Sequence, residues 1–190
     1  MPATPDLNAA EATSHLAPLV FFYGLGSARP RATFIPVEQL PDDERWLLAH
    51  DGDMTSRLRE FHHSEIDLDV HAKQKVGEYL VRASVLNRRR DGIPVEFGAI
   101  GIHVDVLPEA AQKLVIEGHV PLGGILESER VPFSSHPRGF FRISVDSRLA
   151  ELLGATAGQV LYGRCNELRC GDGRVMADVV EVLPRLETAR

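Results

Sequence analysis

Two charged residues stand alone inside otherwise apolar runs of strand length: Arg82 in Glu78-Tyr79-Leu80-Val81-Arg82-Ala83-Ser84-Val85-Leu86, and Glu181 in Val179-Val180-Glu181-Val182-Leu183-Pro184. A strand with one face in water carries polar residues at every second position, and these runs do not. Taking a lone guanidinium or carboxylate out of water costs several kcal/mol unless something pairs with it. Two arrangements meet that requirement. In one, Arg82 and Glu181 form a buried ion pair with each other. In the other, both face a closed pocket, where Arg82 holds the anionic end of a ligand and Glu181 does proton work. Spacing alone does not separate the two.

The elements that must carry these residues follow from the pattern along the chain. Residues 1–15 have no apolar period and read as a flexible leader, ahead of a single domain over 16–190. Leu16 to Phe22 is a short apolar run stopped by Gly24-Leu25-Gly26, and Pro30, Pro36 and Pro41 keep the following stretch extended or looped. Pro41-Asp42-Asp43-Glu44 opens a helix that stops at Asp51-Gly52. Asp53 is an N-cap for a second helix, with Met54, Leu58 and Phe61 on one face. Ile66, Leu68 and Val70 alternate with polar residues and predict a strand with one wet face. Val76 to Asn87 reads as a central strand buried on both faces, paired through Arg89-Arg90-Asp91-Gly92 with Ile93 to Val106. Gly98 and Gly101 in that return strand mark a bulge or a close approach by another group. Pro108 to Glu117 is a helix stopped by Gly118. A Pro- and Ser-rich loop over Val131 to Pro137, a strand from Gly139 to Val145 and a short helix from Ser147 to Leu153 follow. A last hairpin turns at Gly171-Asp172-Gly173. Hairpins separated by helices predict an α+β domain with a largely antiparallel sheet.

Composition removes whole classes of function. At 190 residues, 44% hydrophobic and 25% charged, the chain fits one ordinary globular domain. No apolar run approaches the ~18–20 residues of a membrane span, and the N-terminus lacks the pattern of a secretory signal, so the expectation is a cytoplasmic protein with no membrane span. A net charge of −6 argues against a nucleic-acid partner, and Arg88-Arg89-Arg90 reads as a solvated turn. Cys165 and Cys170, five positions apart on one strand, would lie about 17 Å apart and are expected to stay reduced.

Four local patterns occur in one order: Asp53-Met54-Thr55 at a helix start, Tyr79-Leu80-Val81-Arg82 in a buried strand, Pro121-Leu122-Gly123 after a helix, and Val179-Val180-Glu181-Val182-Leu183-Pro184 in the last strand. Together they resemble the chorismate pyruvate-lyase family, which converts chorismate to 4-hydroxybenzoate and pyruvate. The resemblance runs from about Trp46 to Pro184. It implies an antiparallel sheet of about six strands with helices packed on it, and an internal cavity closed by two helix-turn flaps. It implies further that Arg82 grips the ring carboxylate, that Glu181 contacts the ring hydroxyl and handles the proton, and that the backbone amides of Met54 and Leu122 help to hold the carboxylate. No cofactor or metal is expected, because the ring becomes aromatic as the enolpyruvyl C–O bond breaks and a ring proton leaves. Desolvation between Val179 and Leu183 would raise the Glu181 carboxyl. The chain departs from the family pattern at Val180, where Thr is usual, and at Gly124, where a charged residue often stands.

Other polar clusters carry less. Adjacent His62 and His63 at a helix end diverge, and with Glu65 they lack zinc spacing. His103 shares a strand face with Gly101 and Asp105 and reads as a hydrogen-bonded or exposed histidine. Ser134-Ser135-His136 has no nucleophile-elbow context. Three functions therefore compete: a chorismate lyase, a non-catalytic aromatic-acid sensor of the same fold, and a structural domain with Arg82 paired to Glu181. Regulators that use such sensors carry a basic DNA-binding domain, for which this chain has no room before Trp46. A lyase giving a different hydroxybenzoate is a variant of the first. A monomer is the expected state.

Overall fold

The computed structural model describes residues 14–24 and 30–186. Residues 1–13 of the expected leader, and Leu25 and Gly26 of the first stop signal, lie outside the described residues. Among the described residues, six α-helices and seven strands follow one another as α1 (Ala17–Tyr23), β1 (Ala32–Ile35), α2 (Asp42–Leu48), α3 (Met54–His62), β2 (Ile66–Val76), β3 (Tyr79–Arg88), β4 (Pro94–His103), α4 (Glu109–Glu117), α5 (Leu122–Ser128), β5 (Phe133–Ser144), α6 (Ser147–Leu153), β6 (Val160–Cys170) and β7 (Val175–Val182). The strands form one antiparallel sheet in the order β1-β5-β6-β7-β4-β3-β2. The expected α+β class is the class observed.

Helix α2 ends at Leu48, short of the expected Asp51-Gly52, and β4 ends at His103, short of the expected Val106, where a single 3-10 turn follows; three further differences from the sequence expectation each have a local reason. The sheet has seven strands, because the stretch between Pro30 and Pro36 pairs with β5 as β1. The central strand starts at Tyr79, since Val76 still pairs with it across a tight turn in which Gly77 takes a positive φ of 57°. The Pro- and Ser-rich segment is the first half of β5, paired with β6 from Phe133 onward. Proline is tolerated at Pro137 because β1 reaches only Phe140 to Ile143, which leaves this half of β5 an edge, and a bulge follows at Pro137/Gly139.

The two faces of the sheet are closed differently. On one, Ala83, Val85, Phe97, Ala99, Phe141, Ile143, Val180 and Val182 meet Leu19 and Phe22 of α1 and Leu149 and Leu153 of α6 in a continuous apolar core. Helices α2 to α5 cover the other face in two blocks. Leu47, Leu48, Met54 and Leu58 pack on Leu86, Val95 and Leu183. Ala111, Val115, Leu122, Ile125 and Leu126 pack on Leu80, Ile102 and Ala177. Between these blocks runs a strip of polar side chains and glycine, and there the site forms. Gly101 faces away from it: a Cβ at that position would overlap the Tyr79 hydroxyl, so the close approach its sequence position suggested is an aromatic ring laid across the strand.

Candidate functional site

The pocket is built from three registered rows across the sheet. Arg82 on β3 stands opposite Ile100 on β4, which faces Val179 on β7 and then Asn166 on β6. The next row is Ser84, Gly98, Glu181 and Arg164. The third begins with Leu86 opposite Glu96. Gly98 lies in the middle, so the floor is hollow where every neighbour has a side chain. The roof comes from the turns that start α3 and α5: Asp53, Met54 and Thr55 from one, Pro121, Leu122 and Gly123 from the other. The Asp53 carboxylate caps α3 by accepting from the Ser56 amide at 3.0 Å, as its sequence position predicts. Gly123 lets the two turns meet, because a Cβ there would collide with the Asp53 carboxylate. Arg82, Glu181, Met54 and Leu122, the residues selected in the sequence, thus all lie on the wall of one pocket.

Arg82 is 2% exposed, and its Nε and Nη1 have no hydrogen-bond partner among the described residues. Burial lowers the guanidinium to about 10. Lys73, the cross-strand neighbour of Arg82 on β2, donates from Nζ to the Ile116 and Glu117 carbonyls at 2.9 and 3.1 Å. It satisfies the C-terminal end of α4 and holds β2 against that helix beside Arg82. At the Gly118 C-cap, with φ 77°, an added Cβ would come within 3.9 Å of Arg82 Nη1.

The ion pair that the sequence allowed between Arg82 and Glu181 does not form. Glu181, 5% exposed, accepts through Oε2 from Nε of Arg164, which is fully buried directly across the β6–β7 hairpin. Nη1 of Arg164 also donates to the Leu48 and His50 carbonyls at 2.8 and 3.0 Å. One guanidinium therefore ties the floor of the pocket to the end of α2 and the turn that leads into α3. His50 in that turn accepts from the Gly52 amide through Nδ1 at 3.1 Å, and burial together with the charge of Arg164 lowers its imidazole to about 4.

Two charges of the site, Glu96 and Arg164, were not singled out in the sequence. Glu96 is 4% exposed, and its Oε2 is buried without a partner among the described residues. Burial and the neighbouring Glu181 charge push its carboxyl well above the usual carboxylate range, with Arg164 pulling the other way. The carboxyl of the pocket that burial raises is therefore Glu96. The signal was present: Glu96 in Pro94-Val95-Glu96-Phe97-Gly98 is as isolated among apolar neighbours as Arg82. Asn166 completes the wall and donates through Nδ2 to Ser135 Oγ at 3.0 Å. The remaining clusters stay outside the pocket. His63 takes a left-handed C-cap conformation ending α3, Ser134 Oγ lies 2.9 Å from His136 Nε2 on β5, and His103 packs on the Tyr79 ring. Cys165 and Cys170 are free thiols. Among the described residues, no helix is long and apolar enough to cross a membrane.

The fold has counterparts among solved structures. The structure of PhnF from Mycobacterium smegmatis aligns with a TM-score of 0.55 at 15% identity, over 73% of this chain and 69% of that one. The separately solved effector domain of PhnF gives 0.53 at 16% identity, over 70% of this chain and 88% of the domain. The gene product SA0254 from Staphylococcus aureus gives 0.53 at 9% identity, over 72% and 90%. At such identities the likeness is one of fold. No protein-family model matches the chain, and no curated protein matches it.

Proposed function

We propose that this chain binds a small aromatic or cyclic unsaturated carboxylic acid, with the carboxylate on Arg82. The observation that carries the reading is a buried guanidinium with two N–H positions unpartnered among the described residues, beside a glutamate already taken by another arginine. Of the side chains that bind anions, arginine alone offers a planar fork whose two parallel N–H bonds match a carboxylate. Ile100, Val179, Leu122 and Leu126 give the ring apolar walls, and Gly98 leaves it room. The amides of Met54 and Leu122 supply further donors in this reading. The likeness to a domain described as an effector domain favours occupancy of the pocket over turnover.

A second reading is the chorismate pyruvate-lyase, favoured by the convergence of Arg82, Glu181, Met54 and Leu122 on one pocket. There Arg82 would hold the ring carboxylate and orient the substrate in a dry site, while Glu181, fixed by Arg164, would meet the ring oxygen. Calorimetric titration of the wild type and Arg82→Ala with 4-hydroxybenzoate and chorismate, together with a coupled pyruvate assay, separates the readings. Saturable binding lost in Arg82→Ala, with chorismate left intact, is the result expected of a binding domain. Pyruvate and 4-hydroxybenzoate from chorismate would identify the lyase. Failure of both acids to bind refutes both readings.

A further inference from the structure

The mouth and floor of the pocket hold more charge than a carboxylate site needs, and the surplus lies at the end away from Arg82. Ile100, opposite Arg82, is four residues along β4 from Glu96, or about 13 Å at strand spacing. Between them the side chain of the row is missing at Gly98, where an added Cβ would sit 3.1 Å from Glu96 Oε1. Glu96 is therefore the polar group at the far end of a trough whose near end is Arg82.

The charges around Glu96 fix its form. Arg164 gives its Nε hydrogen bond to Glu181 and its Nη1 bonds to two backbone carbonyls, and its Nη2 is buried without a partner among the described residues; its single positive charge is already balanced by the Glu181 carboxylate. Glu181 faces Glu96 from β7, and Asp53 faces it from the start of α3; both are acidic. A second carboxylate there would be an uncompensated anion in an apolar enclosure. A protonated carboxyl has an O–H to donate, and Oε2 has no partner for it among the described residues.

We propose that Glu96 is a neutral hydrogen-bond donor at the far end of the pocket, and that it selects ligands carrying an oxygen acceptor across the ring from their carboxylate. The proposal rests on Arg82 holding the carboxylate. It makes Glu96 a specificity residue whose donated proton meets a hydroxyl, ether or carbonyl oxygen of the ligand.

Two measurements test it. The first needs no ligand: the infrared difference spectrum of wild type minus Glu96→Gln in deuterated buffer at neutral pH should contain the carbonyl stretch of a protonated carboxyl. Its absence overturns the proposal. The second compares 4-methoxybenzoate, whose ring oxygen can only accept, with 4-methylbenzoate, which lacks it. Wild type should prefer the methoxy acid by about five- to tenfold, the effect of one hydrogen bond in a dry site. Glu96→Gln, which keeps a neutral donor of the same shape, should retain most of that preference. Glu96→Leu should bind both acids alike. Equal binding of the two acids by wild type overturns the assignment of Glu96 and leaves the Arg82 reading standing. Binding of neither overturns the Arg82 reading, and this assignment with it.

Discussion

Replacing Arg82 with methionine should make the ligand-free protein more stable and leave it unable to hold an acid. Burial lowers the guanidinium from its usual 12.5 to about 10, which at ~1.4 kcal/mol per tenfold corresponds to about 3 kcal/mol against the charged form. The residue is 2% exposed, so solvent does little to relieve that cost, and among the described residues no acceptor offsets it at Nε or Nη1. Methionine fills much of the same volume with apolar atoms and carries no such penalty. The expected gain is about 1–3 kcal/mol, or roughly 3–10 °C in melting temperature for a chain of this size. Binding moves the other way. Two charge-assisted hydrogen bonds at ~1.5–3 kcal/mol each correspond to a loss of at least about 100-fold in affinity for 4-hydroxybenzoate. Thermal and urea melts of both proteins, with and without the acid, read both effects. At 100 times its dissociation constant the acid should stabilise the wild type by about 2.7 kcal/mol and the variant not at all. A variant less stable than wild type by about 3–5 kcal/mol would mean that Arg82 has a structural partner, and undiminished affinity would mean that the anion sits elsewhere.

Three further perturbations follow from the same geometry. Glu181→Gln removes the partner of a fully buried arginine and should destabilise by about 3–5 kcal/mol, whereas the double change of Arg164 and Glu181 to apolar residues should recover most of that in a urea melt. Glu96 is raised in the folded state, so its contribution to stability is complete at acid pH and is lost as pH rises toward its folded value; Glu96→Gln, always neutral, should show a melting advantage that grows with pH above about 4.5. A flat difference across pH 4–8 would show that Glu96 is ionised in the fold. Gly98→Ala places a methyl group on the pocket floor against Glu96 Oε1, so calorimetry should show weakened aromatic-acid binding while circular dichroism shows the fold retained.

Element types were legible in the sequence because they rest on local signals. Asp53 and Asp146 accept from amides three residues on, Gly118 and Gly154 end their helices in left-handed conformation, and Pro108 caps α4. The burial of Arg82 and Glu181 was legible too, since a strand without polar alternation has no wet face. Strand β1 and the first half of β5 were not, because their proline-rich composition argues for loop, and only pairing with a neighbour turns extended chain into sheet.

Which charge meets which was decided by tertiary structure alone. Counted symmetrically about Asp172 in the last hairpin, Arg164 would fall opposite Val180, on the wrong face of the sheet. A bulge between Leu168 and Arg169 adds one residue to β7 and brings Glu181 opposite Arg164 instead. That single residue of register occupies Glu181, leaves Arg82 Nε and Nη1 without a partner among the described residues, and sets Glu96 beside a second acid. Because side chains alternate faces along a strand, the sequence determined that charges would be buried, and the bulge determined which of them pair with one another.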